Sequence, residues 1–286
     1  SLHDALPILL FQTLKSYKKQ YLAKDIFTGI IIAAVSIPIS MGYAEVAGLP
    51  AVYGLYGSVF PILFFAVFSS SPQFILGVDA APAAIVGSAL ASLGIEAQSE
   101  AAMHYIPMMA LFTGFWLLFF YFLKSGKIVN YISTPVMGGF ISGIALTIIL
   151  MQIPKILGSS SGTGELLELL EHIGEALKHV NLLSALFGAG SLLFLTAAKK
   201  YIPRFPAAIV LMVLGVGATE IFHIDDYGVK LLASVEPGLP GFYLPDWSQV
   251  DITHAAGRSL TIAVVVMAET LLAENNFASK NDYKIQ

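Results

Sequence analysis

Long apolar runs broken by short polar stretches set the rhythm of this chain. A hydrocarbon layer of about 30 Å needs roughly 20 mostly apolar residues per helix. Eight segments meet or approach that length: 26–44, 50–68, 79–94, 105–123, 130–152, 181–198, 206–222 and 258–277. Most are apolar around the whole helix, as expected where lipid replaces water. The third is short and rich in alanine, so its length alone does not guarantee a crossing. Residues 165–179, ELLELLEHIGEALKH, differ: apolar positions recur at helical spacing opposite an acidic face, which predicts a helix on a surface. Residues 223–257 contain VEPGLPGFYLPDW, whose Pro and Gly predict an extended, turn-rich connection.

The loop charges test the count. With the N-terminus cytoplasmic, eight crossings place Lys15, Lys18, Lys19, Lys24, Lys124, Lys127, Lys199, Lys200, Arg204, Lys280 and Lys284 on one side. The other side keeps Lys155, Lys178, Lys230 and Arg258. That bias follows the positive-inside rule. Acids collect opposite: Glu45, Glu96, Glu100, Glu165, Glu168, Glu171, Glu175, Asp225, Asp226, Glu236, Asp246 and Asp251. Removing the third crossing scrambles this pattern, so eight crossings are expected, in the plasma (cytoplasmic) membrane. Residues 1–24, with ALPILLFQTLKSYKKQYL, read as a cytoplasmic, interfacial segment with its cations near the headgroups. A signal peptide does not fit there, because the basic cluster follows the apolar run.

Composition narrows the function. Hydrophobic residues make up 56% and charged residues 12%, which indicates an integral membrane protein. There is no cysteine, so disulfides, thiolate metal sites and cysteine nucleophiles are excluded. A formal net charge of −4 without a basic patch points away from nucleic acid. His104, His172, His179, His223 and His254 fall at loops or helix ends without HExxH or comparable ligand spacing, so a membrane enzyme is disfavoured. The chain opens on Ser1 and stops at Gln286 in a polar stretch, which reads as a fragment.

Three features stand out inside the apolar runs. In SIPISMGYAEVAGLP, Pro38 removes a backbone donor and Gly42 loosens the chain one turn later. This is either a packed kink or a discontinuous helix whose freed backbone faces a site. In FILGVDAAPAAIVGSAL, Asp79 is placed to N-cap a short helix starting near Ala80. The small residues Ala80, Ala81, Ala83 and Ala84 admit close approach, and a half-helix N-terminus suits a small anion. Asp79 either spends its charge on capping or takes part in cation coupling. In TIAVVVMAETLLAENNFA, Glu269 lies within an apolar helix, where inserting an acid costs about 2.5–3.5 kcal/mol. A carboxyl there is cheaper neutral than charged, which makes it a natural proton carrier. The alternative is a static Glu satisfied by Ser or Thr neighbours. Glu274, five residues on, reads as an ordinary boundary charge.

Taken together, these segments resemble the sulfate permease (SulP) family of anion transporters and exchangers. AVYGLYGSVFPILFFAVFSSS, Ala51 to Ser71, is similar to the family signature beginning at the second helix. VMGGFISGIALTIILMQIPKILG resembles the fifth helix, and PRFPAAIVLMVLGV with VEPGLPGFYLPDW the seventh and the loop after it. MAETLLAENNFASKNDYKIQ looks like the eighth helix and its exit. A nucleobase permease shares the broken-helix fold and a membrane acid, but YGLYGS and the loop after helix seven fit the sulfate permeases better.

The resemblance implies an all-α integral membrane fold of fourteen segments, two inverted repeats of seven (uracil-permease-like), divided into core and gate. The first repeat would cover about 25–222, an extracellular loop about 223–257, and the eighth segment about 258–277. Relatives place the anion between the facing ends of the third and tenth segments, beside the first and eighth. A chain ending after the eighth segment lacks the opposing half-helix, the second membrane half and the usual cytoplasmic regulatory domain. It is not expected to transport alone.

Carried across, the family's Pro-Gln falls on Pro38 and Ile39, and the aromatic one turn later on Tyr43. The third segment's Gly-Pro falls on Gly77 and Val78, a lining residue becomes Asp79, and the signature's final basic residue becomes Pro72. Glu269 falls on the acid of the proton-coupled members. The implied function is a secondary active anion transporter with elevator-like alternating access. Pro38, Ile39, Ser40, Tyr43, Asp79, Ala80 and Ala81 would line the substrate, and Glu269 would couple protons. No cofactor is expected beyond the coupling ion, H⁺ with Na⁺ as the alternative, and no metal or catalytic residue. Expected partners are sulfate, bicarbonate, chloride or a dicarboxylate, the lipid bilayer, and a second copy in the full-length protein.

Overall fold

Three helices stop in the same way at one end of the molecule, and that shared stop organises the bundle. The computed structural model describes residue 15 and residues 17–69, 74–125, 134–160, 166–202, 207–231, 235, 238–241 and 246–280. Among these lie the helices α1 (Leu22–Val46), α2 (Ala51–Phe68), α3 (Ala80–Ser92), α4 (Glu100–Phe122) and α5 (Thr134–Ile156). They continue with α6 (Leu166–Lys178), α7 (Leu182–Tyr201), α8 (Ala207–Phe222) and α9 (Ile252–Lys280). Each predicted apolar segment overlaps one of these helices, with residues 130–133 and 206 outside the described residues, and the predicted surface helix is α6. Between α8 and α9 the described residues form only two short 3-10 turns, Ile224–Tyr227 and Trp247–Gln249. Of the expected interfacial segment, residues 1–14 and 16 lie outside the described residues, as does Pro72. Lys19–Tyr21 is a single 3-10 turn leading straight into α1, and the Tyr17 hydroxyl donates to Asp25.

At the end of α1, Gly48 adopts φ 83°, a left-handed conformation that glycine enters without a Cβ penalty. Its amide donates to the Glu45 carbonyl at 3.0 Å and the Leu49 amide to the Ala44 carbonyl at 2.9 Å. This Schellman pairing satisfies two carbonyls that a helix end leaves open. α3 stops identically through Gly94 and Ile95, and α5 through Gly158 and Ser159. The turns are then tied together: Gln98 N–H donates to Gly48 O at 2.8 Å, and Asn181 N–H to Leu157 O at 2.9 Å. Asn181 Nδ2 reaches Tyr227 O at 2.9 Å, and the Tyr105 hydroxyl reaches Asp251 O at 3.3 Å. The acids singled out in the sequence gather at this end, with Glu165 and Glu236 outside the described residues. We call it the acidic end.

Hydrocarbon removes the hydrophobic drive between helices, so small residues that let backbones approach decide the packing. α1 is clasped on two sides by glycines. A Cβ on Gly54 of α2 would lie 2.0 Å from the Ser40 carbonyl oxygen, and one on Gly87 of α3 2.2 Å from that of Val46. α9 packs on α3 and α4. Leu90, Ala102, Met108, Met109, Ala255 and Ile262 form their shared core, and Trp116 Nε1 donates to Ala256 O at 3.0 Å. Helices α5 to α8 make a second group, in which α5 contacts α6 and α7, and α7 contacts α8. The two groups touch through α1 and α8 and also at the acidic end, where Val46, Ala47, Ala83, Met151 and Leu169 bury one cluster. α6 is therefore more than a surface helix. Its Leu169 is sealed between the groups, 1% exposed.

Helices α1, α2, α4, α7 and α9 are long and apolar enough to cross a membrane. Phe64, Phe115, Leu118 and Phe122 are exposed on them, which suits a lipid-facing surface.

Candidate functional site

α3 begins where a membrane helix should not. Its 13 residues rise about 20 Å from the acidic end, which leaves its start inside the ~30 Å hydrocarbon layer. Residues 74–79 before it are not helical, and Asp79 is extended at φ −120° and ψ 148°. The expected cap is present: Asp79 Oδ1 accepts from the Ala80 amide at 2.6 Å, and its carbonyl accepts from Ala83 N–H at 3.3 Å. Pro82 has no N–H, so the first turn keeps a single amide without an acceptor among the described residues, that of Ala81. Ala80 and Ala81 are both buried.

Against this helix start lies α9. The Glu269 side chain faces that of Asp79 at interacting distance, and Glu269 Oε2 is buried without a hydrogen-bond partner. The half-buried Tyr43 of α1 lies close enough to Asp79 to feel its charge. Three residues named from the sequence, on α1, on α9 and at the cap of α3, thus lie near one another. Asp79 is exposed and Glu269 partly buried, and two carboxyls facing one another are held together most cheaply when one of them carries a proton. The free Ala81 amide and the positive end of α3 offer weak attraction to an anion beside it.

The structure corrects the reading of the first interruption. α1 runs unbroken through Pro38 as one helix, Leu22–Val46. Proline removes only the bond to the carbonyl one turn back. Ser40 donates its hydroxyl to the carbonyls of Ser36 at 2.7 Å and Ile37 at 3.1 Å, and Gly54 of α2 backs this stretch closely. The packed, continuous helix wins, and the discontinuity lies before α3. Ser40 is consequently buried and occupied with its own helix, while the Ile39 side chain is exposed. Glu274 is a second correction. It is 8% exposed rather than a boundary charge, and α9 continues beyond it to Lys280.

A polar contact that the sequence did not announce bridges the two helix groups. Lys155 Nζ of α5 donates to Glu45 Oε2 of α1 at 2.9 Å, with both side chains partly buried. Lys155 was legible only as one of the few cations at the acidic end.

The sulfate permease family profile matches residues 22–286. The chain belongs to the sulfate permease family. A probable sulfate transporter of Mycobacterium tuberculosis is 26% identical over 271 residues, covering 95% of this chain and 48% of the relative. The structure of SLC26A9 superposes with a TM-score of 0.83 at 25% identity, covering 98% of this chain and 47% of the other. The transmembrane domain of a cyanobacterial bicarbonate transporter, BicA, gives 0.74 at 21% identity, covering 94% and 69%. The chain thus spans about half the length of the first two. As in these transmembrane domains, the fold is that of a sulfate permease with two inverted seven-helix repeats, of which α1 to α9 supply the first repeat and the eighth segment. The chain is a multi-pass membrane protein of a transporter family rather than an enzyme family.

The role of Asp79 in this sulfate permease separates into cap and charge. Asn caps a helix about as well as Asp, whereas Ala does not. The Asp79→Asn protein should keep its thermal stability within about 0.5 kcal/mol, and Asp79→Ala should lose about 1 kcal/mol. Equal melting of the two variants would remove the capping role.

Proposed function

We propose that the full-length protein is a secondary active transporter of small inorganic or carboxylate anions, working by proton-coupled symport. The observation that carries this reading is the facing of Asp79 and Glu269 at the start of α3, with Tyr43 near Asp79. The physics is electrostatic. A carboxylate and an anion about 5 Å apart repel by about 3 kcal/mol at an effective dielectric near 20, a hundredfold in affinity. A proton on the carboxyl pair removes that repulsion, so proton and anion occupy the site together and leave together. Sulfate, bicarbonate, chloride and dicarboxylates are the candidate cargo. The protein would sit in the plasma membrane with a cytoplasmic N-terminus, as a homodimer.

Uptake by proteoliposomes holding the full-length protein, screened against these labelled anions at two pH values, tests the reading. Acceleration by an inward proton gradient supports symport. Acceleration by Na⁺ or by trans anion at fixed pH would replace it with sodium coupling or exchange. Absence of uptake for every anion would sink it.

Elevator-like alternating access fits the two helix groups that meet at the acidic end. For one group to slide, the Glu45–Lys155 pair and the Met151–Leu169 cluster must part. The pair is partly solvated, so removing it shifts the balance by only about 1 kcal/mol. In a cysteine-free background, Glu45→Gln should therefore raise thiol labelling of a Met151→Cys probe from the acidic-end side a few-fold. The charge-swapped double variant should restore the slow rate. Equal labelling with and without the pair would show that it holds nothing closed.

A further inference from the structure

At the opposite end of the same α3–α9 seam, α9 carries a cation. Arg258 Nη1 donates to Ser92 Oγ, in the last turn of α3, at 2.5 Å. Its Nε is buried and has no acceptor among the described residues. Among the described residues no carboxylate lies within ion-pair reach of this guanidinium. A guanidinium has five N–H donors and no way to discharge, and a buried donor without an acceptor is costly. Beside it opens a cavity of about 310 Å³, lined by Ala84, Ile85, Ser88 and Ala89 of α3 and by Arg258 and Thr261 of α9. At roughly 30 Å³ per water, it has room for a small oxyanion with part of its hydration shell.

Helix geometry connects this cavity to the carboxyl pair. Arg258, Thr261, Val265 and Glu269 follow one another at three- and four-residue steps, hence on one face of α9. Ala80, Ala84 and Ser88 do the same on α3. Eleven residues separate Arg258 from Glu269, about 16 Å along the axis. The acidic end as a whole repels anions, so a partly buried guanidinium with no carboxylate partner among the described residues, beside an open hollow, is where one would concentrate. Complementing the negative end of the α3 dipole explains the bond to Ser92. It leaves the orphaned Nε and the cavity unexplained.

We propose that the Arg258 cavity is a second anion site, holding a small oxyanion or halide at the acidic end before it reaches the carboxyl pair. The inference rests on the transport reading above. In the purified full-length protein, equilibrium binding of radiolabelled sulfate, chloride and bicarbonate should show two phases for the anion that binds. Arg258→Gln should abolish one phase and raise the KM for uptake about ten-fold, as expected for loss of a charge-assisted hydrogen bond, with kcat little changed. Arg258→Lys should fall between. Ser88→Leu, which fills the cavity and spares the Ser92 contact, should reproduce the effect and guards against an Arg258 variant that misfolds. A single binding phase, unmoved by either substitution while only the melting temperature falls, would reduce Arg258 to a helix cap and overturn the proposal. No binding of any of the three anions by the unsubstituted protein would overturn the transport reading itself, and the second site with it.

Discussion

Proteoliposomes carrying the full-length Glu269→Gln protein are expected to lose all acceleration of anion uptake by an inward proton gradient while still binding the anion. Glutamine matches the shape of a protonated glutamate and carries no charge. It imitates the form of the carboxyl pair that admits the anion, so the dissociation constant should stay within about two-fold. What it cannot do is release a proton on the far side. In the unsubstituted protein, uptake should rise as the outside pH falls, because protonation must precede anion entry. The variant should show a flat profile. The companion Asp79→Asn protein, which keeps the α3 cap, shows whether the proton is shared. If both variants flatten the profile, the pair acts as a unit. An unchanged pH dependence after Glu269→Gln would remove that residue from the mechanism.

A second large effect is expected far from any charge. Gly54→Val should yield no monodisperse full-length protein on size-exclusion chromatography. Overpacking usually costs about 1–3 kcal/mol because neighbouring side chains yield. Here the obstacle is the backbone of α1 itself, 2.0 Å from the new Cβ at the Ser40 carbonyl. That carbonyl belongs to the continuous stretch of α1 just after Pro38. Separating α1 from α2 would also move Tyr43 away from Asp79. Gly29→Ala is the control, since nothing lies within 4 Å of its new Cβ. It should be neutral or stabilising by up to about 1 kcal/mol. Normal folding of Gly54→Val would mean that the α1–α2 contact is looser than described.

Much of the scaffold was readable before any fold was known, for reasons that act over a few residues. Apolar runs of membrane length gave the helices, and Asp79 before an alanine run gave the start of α3. The bias of loop charges gave the grouping of acids at one end. Glycine two residues past a helix reads locally as a stop, and Gly48, Gly94 and Gly158 each serve as one.

The failures were of another kind. Whether Pro38 breaks its helix depends on what supports the neighbouring turns, and that support comes from Ser40 and from α2. Glu274 looked like a boundary charge because its burial depends on the helices packed around α9. Glu45 and Lys155, or Asp79 and Glu269, sit more than a hundred residues apart, and no periodicity links them. Sequence alone determined which stretches enter the membrane, where most of them end and which acid is out of place there, since desolvation and backbone geometry act residue by residue. Only the tertiary structure decided which side chains meet across helices, because charge and hydrogen bonding act through space and the packing of small residues sets those distances.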